Sequence, residues 1–355
     1  MKHDEPENKL LDAQEEQSPE TQDLIIKYAF VADKGQEALR IDKFLVNRIE
    51  KASRSRIQNA ARAGNILVND KSVKPNYKVK PGDRISVVVP EAVPEFKLIP
   101  EDIPLNVVYE DAHLVVVNKR AGMVVHPGVG NYSGTLVNAL LYHFRSLPDT
   151  SKENDRPGLV HRLDKNTSGI MVVARDEYAM MHLARQFFER STDRKYYALV
   201  WGDFEEATGT VTGNIIRDPR NRKRMAVSME DDIGKHAVTH YKVLQRFGYV
   251  TLIECKLETG RTHQIRVHMK HIGHPVFNDD LYDGNRIVKG TVYTKYKQFI
   301  DNCFKVMPRH ALHAKSLGFE HPASGERMHF DSALPDDFQA VLDKWMRYAG
   351  QLGED

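Results

Sequence analysis

Apolar residues near position 40 recur with a helical period and predict a short amphipathic helix. Four of them fall at positions i, i+3, i+4 and i+8 of one helical face: Ile41, Phe44, Leu45 and Ile49. A second helix is predicted to begin at a cap provided by Ser53 or Ser55 and to end at Gly64. Its inward positions are small or apolar, and three arginines project from it.

Strand patterns follow these two helices. Residues 66–68 are apolar and lead into a turn at residues 69–70, and residues 81–83 (Pro-Gly-Asp) predict another turn. Beyond it, Ile85, Val87 and Val89 lie at alternating positions, as in a half-buried strand. A basic helix pair followed by a short sheet is too small for most catalysis, and it suits the binding of a nucleic acid.

The longer C-terminal part of the chain has more predicted strands than helices. Strands are predicted at residues 107–109, 114–117, 170–173, 196–200, 238–244, 250–257 and 265–268. Helices are predicted at residues 134–141 and 176–190. Because the two kinds of element do not alternate regularly, we expect an α+β domain built on a mostly antiparallel mixed sheet.

Charge is distributed unevenly along the 355 residues, although the net charge is only +2. Residues 1–25 carry two lysines and eight acidic residues, a net of −6, and residues 39–90 carry twelve basic and four acidic residues, a net of +8. The acidic segment is poor in apolar residues and is expected to be disordered. The basic module fits a phosphate backbone, and a solvated basic face is an equal alternative.

These patterns divide the chain into five parts. They are an acidic tail (1–25), a small basic domain (26–90), a proline-containing linker (91–104), a large domain (105–345) and a C-terminal tail (346–355).

Several classes of protein are disfavoured. No apolar run approaches the ~20 residues of a membrane helix, and the first residues lack the apolar core of a signal peptide. The two cysteines form no CxxC pair, which fits a reducing, cytoplasmic location. The histidines at 263, 268, 271 and 274 lack the spacing of a metal site, and no phosphate-binding glycine motif follows a strand. We therefore expect neither a metal nor a cofactor.

Residues 158–169 are the densest concentration of polar, potentially catalytic side chains. Asp164 lies between Arg162 and Lys165, and nearby cations favour the ionised carboxylate. A carboxylate that stays charged suits nucleophilic or base chemistry. By itself, however, an arginine near an aspartate is equally typical of a surface turn with a structural salt bridge.

Longer stretches resemble known families. Residues 39–45, 53–57, 64–69 and 80–83 are similar to the S4 domain, a small α/β RNA-binding module. Residues 161–169 (His-Arg-Leu-Asp-Lys-Asn-Thr-Ser-Gly) match a signature of the RluA-type pseudouridine synthase family over nine positions. Residues 194–202, 257–268 and 309–326 resemble further motifs of that family. The overall layout resembles its RluD branch.

The family resemblance implies roles for individual residues. It makes Asp164 the essential carboxylate, which attacks the target nucleotide or removes a sugar proton. It makes Tyr196 a platform for the target base and Arg266 the partner that keeps Asp164 charged. It implies that Arg162 helps to hold a uridine flipped out of the RNA, with His161 and Lys165 as further substrate-binding residues.

The implied activity is the isomerisation of specific uridines in structured RNA, most naturally large-subunit (23S) ribosomal RNA, by a monomer without a cofactor. Flipping a base out of RNA costs a few kcal/mol. Eight basic residues are candidates for the RNA contact: Arg40, Lys43, Arg54, Arg56, Arg62, Arg222, Lys223 and Arg224. Arg222, Lys223 and Arg224 belong to a basic loop. The alternative interpretation is that this loop is only solvated and contacts no RNA.

Two rival functions remain open at this level. A non-catalytic RNA-binding factor with this fold would have no need of Asp164, and a glycosidic hydrolase usually requires a second carboxylate at a defined distance. Two departures from the family pattern affect loops. Residues 118–122 lack the usual proline, and Asn278 precedes Asp279 where the family usually has glycine.

Overall fold

The computed structural model describes residues 24–49, 52–90, 98–128, 130–144, 147–148, 156–221, 223–230 and 233–352. The chain divides into two compact units, residues 1–97 and residues 98–355. The predicted acidic tail lies mostly outside the described residues.

Among its described residues, the first unit packs two helices on a four-stranded antiparallel sheet of order β1-β4-β2-β3. Its elements are β1 (Leu24–Val31), α1 (Ile41–Val46), α2 (Arg54–Arg62), β2 (Ile66–Val68), β3 (Lys71–Ser72) and β4 (Arg84–Pro90). The side chain of Ser53 caps α2 by accepting from the Arg56 amide at 3.3 Å. Asn69 and Asp70 both have positive φ, which closes the tight turn between β2 and β3.

The predicted apolar faces form the core of this unit, where Ile41, Phe44, Leu45 and Ile57 are buried together. Strand β1 was not predicted, and it begins at Leu24, so it includes the last two residues of the expected acidic tail.

The second unit contains ten strands and five helices among the described residues. The strands are β5 (Val107–Glu110), β6 (Leu114–Lys119), β7 (Ser168–Ala174), β8 (Asp193–Trp201), β9 (Thr208–Arg217), β10 (Met225–Ser228), β11 (Lys235–Arg246), β12 (Val250–Leu257), β13 (Leu312–Glu320) and β14 (Arg327–Asp331). The helices are α3 (Leu136–His143), α4 (Glu177–Glu189), α5 (Gln264–His271), α6 (Thr294–Val306) and α7 (Asp336–Leu352).

All ten strands join one sheet of order β10-β9-β11-β12-β8-β13-β7-β6-β5, with β14 paired to β13 off this path. Every described strand pair is antiparallel except β13 with β7, so the expected mostly antiparallel mixed sheet and the α+β class are confirmed. Central β8 pairs with both β12 and β13, so the residues of β8 lie in the middle of the unit.

Aromatic residues hold α6 and α7 against the sheet, and the ring of Phe304 of α6 lies 6.5 Å from that of Trp201. Trp201 of β8 contacts Phe277 at a ring-centre distance of 5.0 Å and Trp345 of α7 at 6.4 Å.

Because α7 continues to Leu352, residues 346–352 are helical, and the predicted C-terminal tail is wrong for them.

The N-terminal end of this unit also differs from the expected linker. The side-chain amide of Asn138 donates to the backbone carbonyl of Ile99 at 2.7 Å, and the backbone amide of Glu101 donates to the backbone carbonyl of Asn138 at 3.0 Å. Residues 98–104 are therefore attached to α3, whereas residues 91–97 lie outside the described residues.

The predicted strand at residues 265–268 is wrong, because these residues belong to helix α5. The alternation of Ile265 and Val267 with Arg266 and His268 imitates a strand that is buried on one face. In α5 all four side chains are buried, since the polar ones find hydrogen-bond partners inside the protein.

Candidate active site

A cavity of about 280 Å³ opens beside the loop that carries Asp164. Its walls come from the segment before β7, from α4, from β8 and from the loop between β12 and α5. The lining residues used below are His161, Arg162, Asp164, Phe187, Arg194, Tyr196, Gly260, Arg261, His263 and Arg266.

The carboxylate of Asp164 lies at the cavity wall with 19% of its side chain exposed. Arg266 donates from Nη1 to its Oδ2 at 2.9 Å, across 102 positions of sequence. The Nε2 atom of His263 lies 3.9 Å from the same oxygen. The pair of Asp164 with Arg266 that the sequence led us to expect is therefore present, and its catalytic role stays a prediction.

Arg266 is itself held by a second, fully buried carboxylate, Asp279. Its Nε donates to Asp279 Oδ2 at 2.6 Å and its Nη2 donates to Oδ1 at 2.9 Å. The amides of Leu281 and Tyr282 donate to Asp279 Oδ1 as well. A guanidinium fixed by one bidentate carboxylate has a defined direction in which it presents its remaining donor, here toward Asp164.

Several effects set the charge of Asp164. Burial raises the pKa of Asp164, but the electrostatic effects of its neighbours, His263 and Arg266 foremost, outweigh burial and hold the pKa below its ordinary value. Burial lowers the pKa of His263, which leaves Arg266 as the permanent cation. Asp279 raises the pKa of Arg266 despite the opposing effect of burial. Asp164 is thus an ionised carboxylate at neutral pH.

The cations that act on Asp164 are not its neighbours in sequence. Arg162 and Lys165 were expected to lower its pKa, but both side chains are exposed, and neither pairs with Asp164. The protein supplies this charge from α5 instead.

Long-range contacts hold the loop that follows Asp164. The amine of Lys119 is buried and donates to the carbonyls of Lys165, Met123 and Arg120 at 2.8–3.1 Å. Arg309 donates to the Asn166 carbonyl at 3.1 Å. The loop conformation is therefore determined by residues far apart in sequence.

Glycine is required where this loop enters β7. Gly169 has a φ of +121°, and a Cβ there would lie 2.2 Å from the Ala314 carbonyl oxygen of β13. This close approach belongs to the parallel pairing of β7 with β13.

Tyr196 is buried on β8 and faces the same cavity as Asp164. Burial raises the pKa of Tyr196, so its phenol is protonated at neutral pH. An aromatic wall next to a carboxylate is able to hold a flat base.

The three expected substrate-binding residues are placed differently from one another. Arg162 lines the cavity, is exposed, and has no hydrogen bond or ion pair within the described part of the chain. His161 accepts from the Val172 amide at 3.1 Å and stacks on Phe187 at 4.5 Å. Burial lowers the pKa of His161 to about 3. Lys165 donates to Asn131 and does not line the cavity, so the structure does not support it as a substrate contact.

Arg40 and Arg54, two of the candidate RNA-binding residues, donate to buried Asp42. Gln58 completes this cluster. In the same unit Lys43 and Arg56 are exposed without an ion pair among the described residues. Arg40 and Arg54 are half-exposed, at 41% and 51%, so they both fix the fold and remain on the surface.

Arg62 and the residues of the basic loop make few contacts. Arg62 is exposed and donates to Asn59. Lys223 is exposed, Arg224 pairs with Asp283 at 3.5 Å, and Arg222 lies outside the described residues.

Two further histidines, His310 and His313, make ordinary hydrogen bonds to hydroxyl groups. His310 bonds the hydroxyl of Thr167 at 2.8 Å, and His313 bonds the hydroxyls of Ser168 and Ser332. Burial lowers the pKa of His310 to about 3. These neutral rings connect β13 to the Asp164 loop.

Sequence reasoning missed Asp279, His263 and Arg194 as members of the site. His263 lies within a recognised motif and was noted only as part of a histidine cluster. Asp279 follows Asn278, whose φ of +56° explains why glycine or asparagine is suited to that position. The sequence shows a residue suited to positive φ at position 278, but it does not show that the Asp279 carboxylate pairs with Arg266.

Comparisons with known proteins agree with this geometry. A family model described as RNA pseudouridylate synthase matches residues 113–271, and an S4 domain model matches residues 39–85. A Chlorobaculum parvum protein described as an uncharacterized RNA pseudouridine synthase is 44% identical over 313 residues, 88% of this chain and 95% of that protein. The ribosomal large subunit pseudouridine synthase D of Xanthomonas campestris is 42% identical over 329 residues, 92% of this chain and 95% of that protein.

Solved structures lead to the same family. Human RNA pseudouridylate synthase domain containing 4 aligns with a TM-score of 0.51 at 26% identity, over 68% of this chain and 93% of that one. Human RNA pseudouridylate synthase domain containing 1 gives a TM-score of 0.50 at 26% identity, over 70% and 96%. Within the described part of the chain, none of the helices has the length and apolar character that crossing a membrane requires.

Proposed function

Because this chain belongs to the RNA pseudouridine synthase family, we propose that Asp164 is the carboxylate with which it isomerises uridines in folded RNA. The enzyme is an isomerase of the RluA and RluD type, and its substrate is RNA. The observation that carries the assignment of Asp164 is its pairing at 2.9 Å with an arginine that a buried second carboxylate already fixes.

The reaction exchanges one bond to the ribose for another. The bond from uracil N1 to ribose C1′ breaks, the base turns within the cavity, and C5 bonds to C1′. The hydrogen on C5 is lost, N1 gains one, and no electrons are exchanged with the surroundings. Asp164 either attacks C1′ or removes the proton from C2′, and both routes need it ionised.

The remaining parts of the site fit the preparatory steps. Tyr196 is the surface on which the flipped base rests, and exposed Arg162 at the cavity mouth occupies the space that the base leaves in the RNA. Arg266 aims Asp164 and keeps it charged without giving up a proton of its own.

The RNA substrate is proposed to be large-subunit ribosomal RNA. Two relatives at 42% identity, from Zymomonas mobilis and Xanthomonas campestris, carry the name ribosomal large subunit pseudouridine synthase D. We propose that the S4-like unit grips this RNA through Lys43, Arg56 and Arg62, with Lys223 of the second unit as a further phosphate contact. The enzyme is proposed to act as a monomer.

A map of pseudouridines in ribosomal and transfer RNA tests this proposal. Cells that carry only Asp164→Asn should lack particular pseudouridines in large-subunit RNA, because asparagine keeps the size of aspartate but is no carboxylate. Asp301→Asn, an exposed substitution on α6, is the control and should leave the map unchanged. Identical maps for both variants would reject Asp164 as the catalytic group, and losses confined to transfer RNA would reject the ribosomal substrate.

A further inference from the structure

Arg194 is a buried cation of the cavity that the proposed mechanism leaves without a function. It lies two residues before Tyr196 on β8, so the two side chains leave the same face of the strand. Both line the cavity that contains Asp164. Arg194 is 7% exposed, so its guanidinium lies inside the protein and not at the rim.

No carboxylate balances this charge among the described residues. Nη2 of Arg194 reaches the Glu258 carbonyl only at 3.5 Å, and Nε has no hydrogen-bond partner. The guanidinium carbon lies 5.5 Å from the centre of the Phe187 ring. Burial lowers the pKa of Arg194. A buried charge without a partner is costly, so a protein that retains one has a use for it.

The neighbouring backbone makes room for this guanidinium. A Cβ at Gly260 would lie 3.0 Å from Nη1 of Arg194, and it would contact no other described atom within 4 Å. Gly260 does not have the positive φ that would demand glycine. A side chain at position 260 would therefore displace the Nη1 end of Arg194.

We propose that Arg194 binds a carbonyl oxygen of the flipped uracil and stabilises the negative charge that the base acquires when it detaches. This rests on the proposed function, in which the cavity holds the target uridine. Guanidinium offers donors only, so its ligand must present acceptors, as uracil does at O2 and O4.

The charge arises from the bond that breaks. When N1 separates from C1′, the electron pair stays with uracil, which becomes an anion with its charge spread over N1, O2 and O4. The ribose carbon is then either bonded to Asp164 or joined by a double bond to C2′ after proton loss. Formation of the C5–C1′ bond and transfer of the C5 proton end the anionic stage. A fixed, buried cation beside the base is most effective at that stage.

A backbone phosphate is the less suitable partner. Arg162 and Arg261 also line the cavity and are more exposed, so they lie where a phosphate would remain solvated. Arg194 lies beside the proposed base platform instead.

The first test uses Arg194→Met with Arg185→Met, an exposed arginine of α4, as the matched control. Single-turnover isomerisation should fall about 100-fold in Arg194→Met, whereas RNA affinity should change less than about threefold. Its melting temperature should not fall, because an uncompensated buried charge is removed. An unchanged rate, or an affinity loss with the rate unchanged, would overturn the inference, and the second result would indicate a phosphate contact.

The second test separates charge stabilisation from packing. Fluorine at C5 stabilises the uracil anion, so cleavage of the N1–C1′ bond in RNA with 5-fluorouridine at the target should depend less on Arg194. The loss caused by Arg194→Met should be at least about threefold smaller with this RNA than with uridine. An equal loss with both substrates would show that Arg194 acts only on structure.

A double-mutant cycle with Gly260→Ala tests whether the space at Gly260 positions the guanidinium of Arg194. Gly260→Ala should slow the reaction in the same direction as Arg194→Met, and the two losses should not add. Additive losses would contradict the coupling. The inference and the proposed function fail in different experiments. An active Asp164→Asn enzyme would reject the proposed function, whatever the activity of Arg194→Met.

Discussion

At the scale of single residues, the charge on Asp164 depends on its ion pair with Arg266, which Asp279 holds in turn. These three residues come from separate segments of the sequence. Asp164, Tyr196 and Arg266 could be named from motifs, and the cavity does bring them together. Asp279 could not be named, because it acts 13 positions from Arg266 through a turn whose closure the sequence does not display. Arg194 escaped notice because its burial without a partner is visible only in three dimensions.

This chain of charges predicts the pH dependence of the enzyme. The folded pKa of Asp164 is below its ordinary value, about 3.9 for aspartate, so the carboxylate is ionised throughout the neutral and mildly acidic range. Because the folded pKa is lowered, the stability contributed by the ion pair of Asp164 with Arg266 is fully present above the ordinary pKa of aspartate. This stability is lost as pH falls through the folded pKa.

Arg266→Gln should move the acidic limb of the rate profile to higher pH. Without the guanidinium, burial is the largest remaining effect on Asp164, and burial raises the pKa of a carboxylate. Single-turnover rates of the wild-type and variant enzymes measured between pH 5 and pH 8 would reveal the shift. A variant that is slower by the same factor at every pH would mean that Arg266 does not control the ionisation of Asp164.

At the scale of elements, strands with regular alternation were predicted well and buried polar segments were not. Strand β12 (Val250–Leu257) was predicted at its observed bounds. Helix α5 was mistaken for a strand because Arg266 and His268 are buried in partnership with distant groups. Strands β13 and β14 and helices α6 and α7 were not predicted; the pairing of β13 with β7 and β8 joins segments more than 100 residues apart.

Gly169→Ala tests whether the contact of β7 with β13 determines the position of the Asp164 loop. The new Cβ would strike the Ala314 carbonyl at a backbone φ that L residues avoid, so we expect more than about 2 kcal/mol of lost stability. Gly273→Ala is the control, because that glycine also has positive φ but no atom within 4 Å of the added carbon. Urea unfolding curves that coincide for the two variants would contradict the importance of this contact.

At the scale of the whole molecule, the sequence predicted two domains and their classes, since a small basic module and a long strand-rich region differ in composition. The S4 domain and the pseudouridine synthase family were both recognised from motifs and are confirmed. The edges were less accurate: β1 begins inside the expected acidic tail, and α7 runs through most of the expected C-terminal tail. Boundaries depend on pairing partners, which local composition does not reveal.

The S4-like unit is expected to supply affinity and not chemistry. Lys43→Gln with Arg56→Gln should weaken RNA binding and reduce the salt dependence of log K by roughly one for each lost phosphate contact. The single-turnover rate at saturating RNA should stay unchanged, because every residue of the catalytic cavity belongs to residues 98–355. Lys295→Gln with Lys305→Gln on α6 is the matched control, and an equal loss of affinity in both double variants would contradict this division.

The central claim is that the carboxylate of Asp164 performs the chemistry. Isomerisation replaces the C5–H bond of uracil, so tritium placed at C5 of the target uridine is released to water. With purified enzyme in excess over RNA, Asp301→Asn should release tritium at the wild-type rate. Asp164→Asn should release none above background while it binds the RNA with wild-type affinity and melts cooperatively. Tritium release by Asp164→Asn at a rate near that of the wild type would contradict the claim.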